Sequence, residues 1–413
     1  MGLTYTAAMT QDFDPLAPED FDSPHAEYAR LRQECPAAHS DAWGGFWALS
    51  RHADVARAAA DSDTFITSKQ NVVPKVAFTG RRPPLHLDPP EHTPYRRALS
   101  PLLSPQRVAR LEPVIREICR TLLGPMAARG GGDICEEFSS RMPIQVFNSW
   151  MNLPAAQASA LAEVGRRYNI AVQSNDEAGT RESSLMLYEM ARAVLADRKA
   201  RPMPTDQDAT SALLAARVNG EPLPEEMIVG TIRQVLVVGI IAPTVVIGSI
   251  AVHLSRDQAL QSHLRGHPEL AEAAIDEFLR LYTPYRGFAR TAVVPVTLHG
   301  RTIPAGEPIA LMYAAANRDG DVFPDPETFR LDRENMKESI AFGRGPHMCV
   351  GAALARLELR VALEELLAHT PDGFRLDGPI VPTRFPEIGA LRVPLRFGQP
   401  GGADAASAAS SRR

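Results

Sequence analysis

The sequence predicts a mainly α-helical protein with small β-sheets, folded as one large domain. Three observations predict it. Apolar residues recur at helical spacing through most of the chain, whereas strand signals are short and cluster in two places. No internal repeat and no low-complexity linker divides the chain between its ends. Its 413 residues, 45% hydrophobic and 23% charged, are ample for a large core.

Taken in order, the opening "MGLTYTAAMTQ" lacks both the basic stretch and the apolar core of a secretory signal, and residues 1–11 are expected to be disordered. Gly2 and Thr6 match a myristoylation pattern so short that chance explains it. "GFWALSR" is the first strand signal. "QRVARLEPVIREICRTLLGPMAARG" places Val108, Leu111, Ile115, Ile118 and Leu122 on one helical face and stops at glycines. "PELAEAAIDEFLRLYTP" and "AALARLELRVALEELLAHTPDG" are helices of the same kind. The second strand region, "VPVTLHGRTIPAGEPIALMYAA", reads as an extended run, a Gly turn, an Ile-Pro-Ala-Gly-Glu turn and a further run. The Ala/Ser/Gly-rich residues 399–413 read as a disordered tail or the start of a linker, leaving residues 12–398 as the folded domain.

Charge and cysteine usage exclude several functions. A net charge of −5 gives no global footprint for nucleic acid or an anionic membrane. Cys35, Cys119, Cys135 and Cys349 form no paired motif, which fits a reducing cytoplasm where a lone thiol is core filler or reactive.

The run "VLVVGIIAPTVVIGSIAVHL", residues 235–254, carries no charge and is long enough to span a bilayer. Gly239, Pro243, Gly248, Ser249 and His253 interrupt it, and it lacks an aromatic belt. The expectation is instead a helix buried on every side, passing close to something large, with no membrane role.

"AFGRGPHMCVGAALARLELR" supplies a candidate. Gly343, Gly345 and Gly351 crowd Cys349, allowing tight turns and close approach of a flat ligand. A helix begins just after the cysteine. Its unpaired N–H groups favour thiolate, the form that binds metal. Taken alone, such a stretch also fits a structural cysteine in a turn.

The longer pattern Phe342-Gly343-x-Gly345-x-His347-x-Cys349-x-Gly351 resembles the haem loop of the cytochrome P-450 superfamily, the haem-thiolate monooxygenases. Other segments resemble the family in the expected order. "EFLR" looks like its Glu-x-x-Arg pair, Glu277 and Arg280, with Arg333 favoured as third partner and Arg330 as the other choice. "HLDPPEHTPYRR" resembles the stretch whose His92 and Arg96 would hold the haem propionates, on one helical face at i, i+4. Arg290 in "FARTA" and His347 would assist. By their bare chemistry, such arginines and Glu–Arg pairs are also ordinary solvated surface.

The resemblance implies haem b with Cys349 as axial ligand, and electrons from NAD(P)H through a reductase. The thiolate would push electron density onto the iron, favouring O–O cleavage and oxygen insertion into C–H bonds. No flavin, nicotinamide or iron–sulfur motif occurs in the chain. A ferredoxin or flavin reductase partner, or a fused reductase module, is therefore implied. "YTPYRGFART" and "AFGRGPHMC" are similar to haem domains of self-sufficient enzymes. Arg344, Arg356 and Arg360 would form a basic patch for an acidic partner, or a solvated helix face.

The charge-free run would be the helix over the distal haem face, where the family shows an acid followed by threonine. Here Ile241 and Ala242 stand in those places, then Pro243 and Thr244. Pro243 frees a backbone carbonyl, and with Thr244 it would hold water and restore a proton route. Direct use of hydrogen peroxide follows from the same departure. Substrate contacts are expected from Val238, Ile241, Ala242 and Phe288. Pro284, Tyr285, Gly287, residues 64–80 and Ile388–Ala390 would add to them. These are mainly apolar, suiting a modest-sized hydrophobic or aromatic compound. Hydroxylation and heteroatom dealkylation are equally open. Two rivals remain: a non-catalytic haem-based ligand sensor, and a haem-free helical binding protein in which Cys349 is structural.

Overall fold

A computed structural model describes residues 11–75 and 79–398. The segments expected to be disordered at both ends, with the Gly2 and Thr6 pattern, lie outside those residues except for Gln11.

The charge-free run lies within one unbroken helix, Glu225–Arg256. Its apolar window has a mean hydropathy of 2.6 and is 78% buried inside the protein. The burial has a simple cause: helices Met142–Trp150, Ala155–Gln173, Glu177–Ala200, Ala271–Leu281 and Ala352–His369 all pack against it. Side chains that face neighbours all round need to be apolar all round. Small residues set the approach: a Cβ on Gly230 would sit 2.0 Å from the Arg81 carbonyl oxygen, and one on Gly248 2.6 Å from Cys135 Sγ.

The helix after Pro105 differs from the sequence expectation. Short helical turns occupy Pro105–Val108 and Ala109–Leu111 before the main helix Glu112–Arg129. Ile115, Cys119, Leu123 and Met126 are buried, while Ile118 and Leu122 are half-buried against the same core. Cys119 acts there as a small hydrophobe.

The larger sheet has five strands in the order Ala37–Ser40, Phe46–Leu49, Pro308–Leu311, Phe288–Ala292 and Phe65–Ile66. Only the pairing of Phe46–Leu49 with Pro308–Leu311 is parallel. Both regions of strand signal thus meet in one sheet. The hairpin Val296–Leu298/Arg301–Ile303 turns at His299 and Gly300, with φ of +50° and +76°. That is the backbone of a tight two-residue hairpin turn. A three-stranded sheet, Phe374–Leu376, Pro394–Phe397 and Gly131–Asp133, joins chain segments far apart and had no clear strand signal.

Candidate active site

The cysteine loop is held open by backbone geometry. Gly343 and Gly345 have φ of +74° and +73°. A Cβ on Gly345 would lie 2.6 Å from Ala60 Cα, so the loop rests directly on helix His52–Ala60. The Cys349 N–H donates to the Phe342 carbonyl at 2.8 Å and closes the turn. Helix Ala352–His369 follows Gly351, whose N–H points to the Cys349 sulfur. Phe342 is covered by Arg356, 4.7 Å above its ring.

Cys349 has an accessible surface, yet desolvation is the main influence on its thiol and pushes its pKa up. Both hold only if the surface it exposes is the wall of an internal space. The Gly351 N–H, Arg96 and Arg356 pull the other way. The helix start therefore acts as expected, but burial outweighs it. Metal binding, which deprotonates a coordinating thiol outright, is what would hold the thiolate.

Four basic side chains gather beside this sulfur. Arg96 Nη1 donates to the Met348 carbonyl at 2.6 Å, and His92 Nε2 lies 3.2 Å from the Pro346 carbonyl oxygen. The His92 and His347 rings are 5.0 Å apart. His347 Nε2 lies 3.3 Å from Thr67 Oγ1, and its pKa falls to about 3 through burial first, then Arg290 and His92. Arg290 is buried, donating to the Ala289 carbonyl at 3.0 Å and hydrogen-bonded to Tyr313. Tyr313 also abuts Gly343, its hydroxyl 3.4 Å from where a Cβ would stand. Thr67 lies in the loop expected to touch substrate rather than haem, and Tyr313 was not singled out from sequence. Neither Arg96 nor Arg290 makes an ion pair among the described residues. The neighbouring Asp88 carboxylate accepts from Thr67 and Ser68 instead.

Two arginines without a counter-anion and two histidines beside a lone thiol fit haem, which brings two carboxylates. No group of three or more His, Cys, Asp or Glu side chains converges among the described residues. Cys349 would thus be the protein's ligand to an iron whose other ligands a porphyrin would supply.

The central helix presents one narrow opening. From Ile228 to Val252, every residue is buried except Val238, Gly239, Ile241 and Ala242. Val238, Ile241 and Ala242 share a face at i, i+3 and i+4 spacing, and Val238 is 48% exposed. Phe288 is half-buried, its ring 4.4 Å from Tyr285 and 6.4 Å from Tyr313. Pro284, Gly287 and Ile388–Ala390 are instead buried in packing; a Cβ on Gly389 would strike Val245. Residues 76–78 of the expected substrate loop lie outside the described residues.

Thr244 is not brought together with Ile241 and Ala242. Its hydroxyl is buried and lies 2.8 Å from both the Ser139 and the Ile240 carbonyl oxygens. A hydroxyl has one proton to give, and here carbonyls of the packed interior claim it. Pro243 lacks an N–H, so the Gly239 carbonyl four residues earlier has no helical donor.

Glu277, Arg280 and Arg333 form one buried cluster. Glu277 accepts from Arg280 at 2.7 and 2.8 Å and from Arg333 Nε at 2.8 Å. Arg280 also donates to the Asn317 and Pro326 carbonyls, and Arg333 to Pro324, Asp325 and Thr328. Arg330 contributes only its backbone N–H to Glu277. The expected basic patch is a correction: Arg344 pairs with Glu338, Arg356 with Asp276, and Arg360 with Glu112 and Glu364. Each of these three arginines thus has an acid partner, supplied by helix Glu112–Arg129, by helix Ala271–Leu281, by its own helix or by the turn Met336–Glu338.

Comparison with known proteins agrees with this geometry. Residues 245–371 match the family model for cytochrome P450. The chain is 31% identical to cytochrome P450 107B1 of Saccharopolyspora erythraea, over 84% of this chain and 88% of that one. It is 31% identical to the vitamin D(3) 25-hydroxylase of Pseudonocardia autotrophica, covering 90% and 92%. The solved structure of cytochrome P450 CYP109Q5 from Chondromyces apiculatus superposes with a TM-score of 0.83 at 27% identity, over 94% of this chain and 98% of that one. The exposed thiol in its glycine loop, the arginines and histidines beside it and the apolar helix are thus features of a known kind of oxidoreductase. The chain belongs to the cytochrome P450 family, haem-thiolate monooxygenases supplied with electrons from NAD(P)H through a reductase.

Proposed function

We propose that residues 12–398 form a cytoplasmic monooxygenase domain that inserts one oxygen atom into a modest-sized substrate with a hydrophobic or aromatic body, by hydroxylation or heteroatom dealkylation. The observation that carries the reading is the accessible Cys349 sulfur set in an internal wall beside His92, Arg96, Arg290 and His347. In this reading Cys349 ligates the haem iron, the four basic residues hold its propionates, and Phe342, Gly343 and Gly351 shape the loop behind the sulfur. Bound haem supplies oxygen activation, made more effective by the electron-donating thiolate. Val238, Ile241, Ala242 and Phe288 exclude water and orient the substrate. The Glu277–Arg280–Arg333 cluster keeps the proximal side rigid.

Protons need a path, since Ile241 and Ala242 carry no donor and Thr244 is committed to carbonyls. We assign the start of that path to water held at the free Gly239 carbonyl. The variant Pro243→Ala gives this carbonyl an N–H partner, and product formed per NAD(P)H consumed should fall severalfold. Thr244→Ala should leave that ratio near wild type. The reverse pattern would return the role to Thr244. The same missing acid–alcohol pair supports direct use of hydrogen peroxide. Turnover of a hydrophobic panel with peroxide alone tests it, and inactivity of fully haem-loaded protein counts against it. Electrons come, in this reading, from a ferredoxin or flavin reductase on a separate or following module. Reconstitution with each class of reductase distinguishes them.

A further inference from the structure

A second group of cations lies on the first half of the central helix, away from the cysteine loop. Arg233 precedes Ala242 by nine residues, about 14 Å along the axis. It has no exposed surface at all. Its Nη2 donates to Ser184 Oγ at 2.8 Å, while Nε and Nη1 have no partner among the described residues. The guanidinium carbon lies 5.2 Å from the Tyr168 ring centroid and 5.9 Å from that of Tyr188. Aromatic faces of this kind attract a desolvated cation. Two such contacts do not offset the loss of hydration of a fully buried charge.

A second arginine makes the account worse. Arg82 is hydrogen-bonded to Tyr168 and lies 2.9 Å from His86 Nε2; burial and then the nearby Arg233 push its pKa down. His86 falls to about 3, through burial and then Arg82, Arg233 and Arg81. The imidazole is therefore neutral at physiological pH. No described Asp or Glu pairs with Arg82, Arg233, Arg81, Lys69 or Lys75. Arg82, Arg81, Lys69 and Lys75 border a cavity of about 150 Å³ whose lining also includes Thr67, Gln70, Asn71 and His86, and the buried Arg233 lies behind Arg82. Val72, also in that lining, forms a β-bridge with Phe288, so the cavity adjoins the expected substrate surface.

We propose that this cavity binds a carboxylate, and that the substrate is an organic acid: its carboxylate is held by Arg82 at the cavity wall, with the buried Arg233 behind it adding positive charge, and its apolar body lies along Val238, Ile241, Ala242 and Phe288. A guanidinium presents two parallel N–H donors that match a planar carboxylate, and a single negative charge relieves the repulsion between both arginines. The distance along the helix places oxidation at the end of the molecule remote from the carboxylate. The substrate half of this inference rests on the monooxygenase reading; the anion site stands on its own geometry.

The test uses the haem-loaded full chain with 4-alkylbenzoates and medium-chain fatty acids, each paired with its primary amide. Dissociation constants are read from the haem spin-state shift and, independently, from the shift in melting temperature. Wild type should favour an acid over its amide by about 30-fold, the scale of a buried charge pair. In Arg82→Gln and Arg233→Gln the preference should shrink to within about 3-fold, with Arg233→Lys partly restoring it. Arg82→Gln keeps the test sound if the fully buried variant folds poorly, because Arg82 is only half-buried. No acid preference in wild type, or an undiminished preference in both Gln variants, overturns the site. Failure of the monooxygenase reading looks different: the reduced, CO-treated wild type would lack a thiolate-ligated haem spectrum, whatever the acids did.

Discussion

Two pairs of arginines sit in this protein under opposite terms. Arg280 and Arg333 converge on Glu277, and their remaining donors end on backbone carbonyls. Arg82 and Arg233 face each other's charge with hydroxyls, rings and a neutral imidazole, and no acid among the described residues. The first pair is complete within the chain and acts as scaffold. The second is complete only with something the chain does not carry. An arginine buried with its own acid fixes structure, whereas one buried without an acid marks where a ligand belongs.

Breaking the closed pair should have the largest effect. Glu277→Gln leaves two guanidiniums buried against a neutral amide, a loss of about 3–5 kcal/mol. Denaturant unfolding of the haem-loaded protein would show it; a loss below about 1 kcal/mol would put this cluster on the footing of a surface pair.

Glu387 sharpens the contrast, being a buried acid whose partners fall short. Gln173 donates to it at 2.6 Å and Arg286 lies nearby, yet burial raises its pKa to about 7. The folded state therefore holds this proton more tightly than the unfolded chain. The resulting stability is fully present below pH ~4.5, the ordinary carboxyl value, and is lost as pH rises to about 7. Between pH ~5 and ~8, wild type should lose about 2–3 kcal/mol relative to Glu387→Gln. Parallel stability curves for the two proteins would refute this.

Smaller effects follow. Thr244→Ala removes a hydroxyl bonded to two carbonyls and should cost about 1 kcal/mol in unfolding free energy. A change beyond about 3 kcal/mol would show that the hydroxyl supports more than those two carbonyls. Least of all, Arg233→Met should change ligand-free stability by less than about 1 kcal/mol although the side chain is wholly buried, because it also removes repulsion with Arg82. A large loss would place Arg233 with the closed pair after all.

Much of the cysteine side was legible in the sequence because its residues are close in the chain. The glycines, His347 and Cys349 fall within ten residues, and Glu277 and Arg280 share one helix turn. The buried central helix was legible from its lack of charge. What could not be read depends on how distant segments meet. Cys119 and Leu123 are fully buried where Ile118 and Leu122 are half-buried against the same core, a difference set by which neighbouring segments cover the helix. The sheet joining Gly131–Asp133 to Pro394–Phe397 pairs strands more than 250 residues apart. Thr244 looked available until Ser139 was seen to accept from it. Arg82 and Arg233 are 151 positions apart, and only the fold brings their charges together. One hint existed: Arg233 is a lone cation at the edge of a run that is otherwise apolar.

The account stands on the Cys349 sulfur as the protein's bond to haem iron. The reduced, CO-treated spectra of wild type and Cys349→His, both loaded with haem, test it most directly. The account predicts a thiolate-ligated band in wild type, replaced by an imidazole-ligated band in the variant with loss of oxidising turnover. A variant that kept the thiolate-type band and its turnover would contradict it.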